Sequence, residues 1–394
     1  MDKKIAIGLG VLIYILSGFA SYKYFNAQAI NTASYEAPTV SEDGTIVDTG
    51  PKTEACPLNG KMYSKNQKAR WEKRRPLAVM VQNNIEARPQ SGLSSADVIV
   101  EVVAEGGITR FLTMFYCEEP TIVGSVRSAR IYFIKFLQGF GDKPLYGHVG
   151  GANTSGPADA LGEIKDLGWY GVNDMDQFAV PFPNYWRDYD RLPGRATEHT
   201  VYTNTKKLWD YAAKNRKLTN VDEDGVKWDK GFEPWTFADD AKEGDRGTVS
   251  KIDFGFWDNN LGSDYTVQWN YTKAENTYKR VNAGKPHIDK NTEKQLTAKN
   301  VIVVFADESV ANDGYEGGQH MLYDIIGKGD ALIFQNGKAS EGTWLKPDEE
   351  TLMKFEDEDG EEVKMVRGQI WIEILPTGND VDYTSGTAAK SKSK

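Results

Sequence analysis

Apolar and polar positions divide this chain into four textures. Residues 5–20 (IAIGLGVLIYILSGFA) run without a charge behind Lys3 and Lys4. The run falls just short of the roughly 20 residues that cross a bilayer, and Tyr22, Tyr24 and Phe25 can carry it to the interface. Two expectations compete for residues 1–25. One is an uncleaved anchor that leaves Lys3 and Lys4 in the cytoplasm; the other is a signal peptide cut at Gly18-Phe19-Ala20 or Ala27-Gln28-Ala29. The anchor is the preferred reading, and either one exports the rest of the chain. No cysteine stands near the run, so it offers no lipid-attachment site. The second texture, residues 26–55, is rich in Ser, Thr, Pro, Gly and Asp and reads as a flexible stalk.

From Arg75 short apolar runs alternate with helical stretches. LAVMVQ (77–82) reads as a buried strand. VIVEVVAE (98–105) alternates with period two, and Gly106-Gly107 turns it into ITRFLTMFYC (108–117), a hairpin signal. Residues 128–139, 156–167 and 205–215 carry helical spacing, and 145–149 reads as a strand. From Lys251 the texture changes to short β-branched or aromatic runs (IDFGFW, YTVQWNYT, NVIVVFA, DALIFQN, QIWIEIL) separated by Gly, Asp and Asn turns. The predicted fold class is α+β: a mixed α/β domain at 56–219, an acidic linker at 220–249, a smaller, mostly antiparallel β domain at 250–378 and a disordered tail at 379–394.

Charge narrows the function classes. The 394 residues carry 47 basic and 57 acidic side chains, a net charge of −10, which argues against a duplex nucleic-acid binder. A mean hydropathy of −0.54 excludes a multi-span membrane protein. Two cysteines in an exported chain, Cys56 and Cys117, predict one disulfide. Two cysteines alone make no tetrahedral zinc site, and no metal or cofactor is expected. Residues 220–225 (NVDEDG) copy the first half of a calcium loop, but Gly231 stands where the bidentate Glu is required.

The sequence holds no GxSxG elbow, HExxH, Walker loop or GxGxxG after a strand. The candidate chemistry therefore rests on single residues. Arg88, Arg110, Arg127 and Arg130 stand beside glycines and small residues, where a guanidinium fork can grip a carboxylate or phosphate or brace Glu101, Glu105 and Asp97. Trp186 and Arg187 lie in an aromatic and acidic stretch (NYWRDYDR) suited to stacking on sugars or to packing as one loop. Glu105, His148, Asp176 and His199 are the acid/base candidates. Glu101 and Glu105 are expected on one face of their strand, about 13 Å apart, too far for a glycosidase pair. The Asp359-Gly360 step reads as a hairpin tip.

At ARPQSGLSSADVIVEVVAEGGITRF and VGSVRSAR, and further on at HVGG, WRDYDR, EHTVYTN, YKRVNAGKPHID, KNVIVV and GTW, the chain resembles the YerB-type lipoprotein family of bacterial envelopes. The resemblance covers about 75–375. It implies an exported, membrane-attached protein with a mixed N-terminal and a smaller C-terminal domain, and it brings no established reaction or catalytic residues. Family lipoproteins carry an acylated Cys after the signal, a feature missing here. The leading expectation is a non-catalytic envelope protein that presents an Arg- and aromatic-lined cleft to an anionic or glycan ligand, cell-wall polymer or a wall-synthesis partner. The rivals are a cell-wall hydrolase using a carboxylate with His assistance, and a structural partner of another membrane protein.

Overall fold

The computed structural model describes Ser17 and residues 39–40, 46–47, 50–257, 264–315, 319–386 and 388–393. The expected anchor or signal at 1–25, apart from Ser17, and most of the stalk at 26–55 lie outside these. Among the described residues no helix is long and apolar enough to cross a membrane.

One sheet runs through both halves of the chain. Its first five strands, in spatial order, are Asp174–Asp176, Leu145–His148, Leu77–Gln82, Ile108–Phe115 and Val98–Glu105. Beside Val98–Glu105 lies not another strand of the first half but Ile370–Pro376, parallel, pairing Ile370 with Val98 and Glu373 with Glu101. Asn300–Val310, Gly327–Gln335, Lys338–Lys346 and Lys354–Asp357 follow. Leu77–Gln82 is buried along its whole length, as a strand covered on both faces must be. The second half adds an antiparallel sheet built on Val249–Phe254, Val267–Thr272 and Thr277–Asn282. Its Trp269 meets Trp371 edge-on at 5.2 Å, and its neighbouring Tyr383 meets Phe334 at 5.4 Å, so the two sheets share aromatic packing. The α+β class and the antiparallel second half agree with the sequence pattern.

Local signals explain the helices. Thr205–Asn215 spans the stretch read from the sequence, with Asn204 accepting from the Lys207 amide as N-cap. Ile131–Gln138 stops at Gly139, where a Cβ would stand 2.8 Å from the Thr351 carbonyl oxygen. Ala160–Asp166 starts later than the Pro157 signal suggests, because the Asp159 side chain caps the Gly162 amide. Lys65–Trp71 was missed, although Ser64 and Gln67 form a reciprocal capping box.

Two expectations, an acidic linker and a disordered tail, need correction. Residues 220–249 are not a bare linker: Trp228 and Trp235 are buried, packing on Tyr116 at 5.0 Å and Phe140 at 6.1 Å. Within 379–394, Asp380–Ser385 pairs antiparallel with Val249–Phe254 and buries Val381 and Tyr383, and Ala388–Ser393 pairs on its outer side. In both stretches an acidic or small-residue composition conceals widely spaced large apolar side chains. Asp359-Gly360 does form a turn, with the Gly360 amide donating to the Asp357 carbonyl.

Candidate functional site

The hairpin at the end of Val98–Glu105 positions the first charged group. A β-bulge between Val103 and Glu105 shifts the register. Without it Glu105 would share the face of Glu101; with it the two carboxylates point to opposite sides, which overturns the shared-face expectation. Glu101 is fully buried. Glu105 turns toward Arg110, the neighbour across the hairpin from Val102.

There Glu105 accepts from Arg110 at 2.6 Å and from Arg130 at 2.5 Å. Arg130 precedes the helix Ile131–Gln138 and also donates to the Ala129 carbonyl, while its buried Nε has no partner among the described residues. Arg110 donates a second time to the Ser128 carbonyl at 2.9 Å. Arg127, half-buried on the same segment, is held by its backbone to Met80 and Val149; its side chain makes no hydrogen bond or ion pair among the described residues, yet its field reaches Glu105. Three guanidinium groups thus face one carboxylate. They line an open cavity of about 670 Å³, to which Trp257, Tyr315 and His320 from the second half of the chain also contribute. Glu105 and His320 form an isolated backbone bridge that closes the cavity between the halves.

Electrostatics fix the roles. Burial opposes ionisation of Glu105, but Arg110, Arg130 and Arg127 together outweigh it and hold the carboxyl down at about 2. Burial, reinforced by Arg130, lowers Arg110 to about 10. Glu105 is therefore an ionised brace at neutral pH and holds no proton to give as a general acid. Its folded value lies below the ordinary 4.5, so its contribution to stability is complete above about pH 4.5 and is lost as the pH falls toward 2. Glu105→Gln should lower stability at pH 7 by about 1.5–3 kcal/mol, the range for hydrogen bonds to charged groups. In urea titrations across pH 2–7 the gap to wild type should close near pH 2; a gap that stays constant with pH would refute the brace.

The remaining sequence candidates do not converge here. His148 is fully buried; its Nδ1 donates to the Gly150 carbonyl and its Nε2 lies 2.8 Å from Asp174. Burial disfavours its charge, but Asp174, Asp176 and that carbonyl raise its pKa on balance. Asp176 accepts from the amides of Gly150 and Phe178 and so shapes the turn next to the cavity. His199 donates to Gln82, and burial lowers its pKa. Arg88 holds Asn83 and lies over Tyr265, away from the other three arginines. Trp186 sits under Lys207, and Arg187 donates to the Thr197 carbonyl on a small separate sheet. Neither residue lines the cavity. Of the four acid/base candidates only Glu105 does, and the geometry these residues would need for hydrolysis is not formed.

Sequence reasoning missed Trp257, Tyr315 and His320. His320 donates from Nδ1 to Asp313 at 2.7 Å, and Tyr315 stacks on its ring at 4.3 Å. The available signal was the Asp313-Gly314 step between two strands, followed by a Tyr and then a His. The predicted disulfide is formed between Cys56 and Cys117.

Comparisons with known proteins agree with this architecture. Residues 62–219 match the family described as "Protein of unknown function (DUF3048) N-terminal domain", and 257–372 match the corresponding C-terminal domain. The chain is 32% identical over 342 residues to "Putative lipoprotein YerB" of Bacillus subtilis (strain 168), covering 86% of this chain and 90% of that protein. The crystal structure of YerB from Bacillus subtilis superposes with a TM-score of 0.64 at 28% identity, across 86% of this chain and 100% of that one.

Proposed function

The chain belongs to the YerB-type family that joins DUF3048 N- and C-terminal domains, and from that premise we propose an extracytoplasmic envelope protein, tethered by its N-terminal apolar segment, that binds an anionic group of a cell-wall polymer. The observation that carries this reading is the cavity that Arg110, Arg127 and Arg130 line with Glu105, their one carboxylate among the described lining residues. Arg110 and Arg130 are braced by that carboxylate. Arg127 keeps its donors for a ligand, and a guanidinium fork suits a carboxylate or phosphate. The uncharged run at 5–20 supports the tether, and the description of the Bacillus relative as a lipoprotein supports attachment to a membrane.

The test is calorimetric titration of the full-length chain in detergent with purified peptidoglycan fragments and with anionic wall polymer. Binding should weaken as salt rises. Arg127→Ala should weaken it about tenfold or more, the loss expected for a charge-assisted hydrogen bond. Unchanged affinity in Arg127→Ala would remove the Arg cavity from the reading. Release of new fragments, detected by mass spectrometry, would replace binding by catalysis.

A further inference from the structure

We infer that the cavity reads a sugar ring bearing an anionic group, carboxylate or phosphate, and that this ring belongs to a longer glycan running out over Phe178. The inference rests on the anion-binding reading above and adds the identity of what carries the charge.

Its first support is the mixed chemistry of the lining. Part of the lining is cationic: the Arg127 side chain makes no hydrogen bond or ion pair among the described residues, and the Nε of Arg130, a residue 5% exposed, is likewise unpartnered. Another part is aromatic. Tyr315 lies flat on His320, with ring planes 12° apart, and still leaves 43% of its surface open. One ring face is thus supported and the other is available. His320 is itself fixed by Asp313, so the platform is rigid before any ligand arrives. Trp257 is held by its Nε1 donating to Glu308 at 2.8 Å. A simple inorganic anion needs no aromatic wall, and a purely apolar ligand needs no arginines. A pyranose with an acidic substituent uses both: its C–H face lies on the aromatic ring while its charged group reaches the guanidinium fork. Asn153 and Gln319, both exposed at the cavity, supply amide donors and acceptors for ring hydroxyls. A volume of about 670 Å³ lies within the roughly 300–1,000 Å³ typical of small-ligand sites.

The second support lies at the rim. Gly150, immediately before cavity-lining Gly151, has the Phe178 ring 3.4 Å from where its Cβ would stand. Phe178 is 76% exposed, and Phe182 on the same loop is 80% exposed. Leaving two phenylalanines in water gives up the free energy their burial would bring. The loop is nevertheless held in place, because Asp176 ties the amides of both Gly150 and Phe178. An aromatic side chain held at the mouth of a saccharide site offers the next ring of a chain its own stacking surface.

The experiment titrates the full-length chain with five probes: inorganic phosphate, N-acetylglucosamine, N-acetylmuramic acid, N-acetylglucosamine 6-phosphate, and a tetrasaccharide of alternating N-acetylglucosamine and N-acetylmuramic acid. The acidic sugars should bind at least tenfold more tightly than phosphate or the neutral sugar, and the stronger of the two identifies the acid as carboxylate or phosphate. Tyr315→Ala should bring acidic-sugar affinity down about three- to tenfold and leave phosphate unchanged. Phe178→Ala should weaken the tetrasaccharide by a similar factor and leave the monosaccharides unchanged. If Arg127→Ala weakens every anion while Tyr315→Ala and Phe178→Ala change nothing, the anion site stands and the saccharide inference falls. If Arg127→Ala changes nothing, both fall.

Discussion

Replacing Arg280 with methionine is expected to cost the folded state about 3–5 kcal/mol, the range found when one partner of a buried ion pair is removed. Glu101 and Glu373 are register partners on adjacent parallel strands and both are fully buried. Two like charges so placed repel each other in a dry interior. Arg280, from the second sheet and fully buried too, reaches both: it bonds Glu101 and lies 3.8 Å from Glu373. Its guanidinium sits 4.6 Å above the Trp371 ring. Most of the network is hydrogen-bonded, with Arg280 Nε and Glu373 Oε2 buried without a hydrogen-bond partner among the described residues. Glu101 accepts from Asn83 and Thr109, Trp269 donates to Glu373, and His287 accepts from Arg280 while donating to Gln90. Burial first, then Glu101, pushes the Glu373 carboxyl well above its ordinary value, so one cation faces a pair that keeps a proton.

The pH dependence has a definite sign. A carboxyl whose folded pKa is raised binds more protons in the folded than in the unfolded state, so its presence weakens the fold as the pH rises above about 4.3, the unfolded value. Without Arg280 the pair must take up a further proton to stay buried. The deficit of Arg280→Met in urea unfolding should therefore be smaller at pH 4 than at pH 8. Adding Glu101→Gln and Glu373→Gln should recover part of it. A deficit below about 1 kcal/mol at pH 8 would show that Arg280 does not hold the two halves together.

That network also shows where the sequence was readable and where it was not. The hairpin 98–105/108–115 was legible because alternation and Gly106-Gly107 are local signals, and helix 205–215 because its spacing and its cap lie within a dozen residues. The pairing of Ile370–Pro376 with Val98–Glu105 was not legible, since nothing local links residues 272 positions apart. Nothing local in QIWIEIL marks its glutamate as buried; in the fold its strand is central and Arg280 lies beside it. The cavity divided in the same way. Arg110, Arg127 and Arg130 were found because Arg beside Gly or Ser is a local pattern. Tyr315 and His320 come from a loop that meets them only when the shared sheet closes. Trp186 and Arg187 illustrate the opposite error: aromatic and charged density in sequence marked a small sheet, not the cavity.

Removing the disulfide with the double substitution Cys56→Ala/Cys117→Ala should destabilise the chain by roughly 4 kcal/mol at neutral pH. The two cysteines are 61 positions apart, and closing a loop of that length removes about this much free energy from the unfolded ensemble. Native geometry should survive, because other bonds tie the same two segments. Asp97 accepts from Asn59 at 2.7 Å on one side and from the amides of Tyr116 and Cys117 on the other, and Tyr63 and Lys61 both donate to Glu118. Trp71 packs on Tyr63 at 5.2 Å and on Tyr116 at 6.4 Å. The double variant should therefore keep the near-ultraviolet circular dichroism of the wild type while its urea midpoint falls, and a reductant should move the wild-type midpoint to the same place. Loss of the native spectrum would mean that the covalent bond, not the Asp97 and Glu118 contacts, positions these segments. An unchanged midpoint would mean that the unfolded chain holds them together without it.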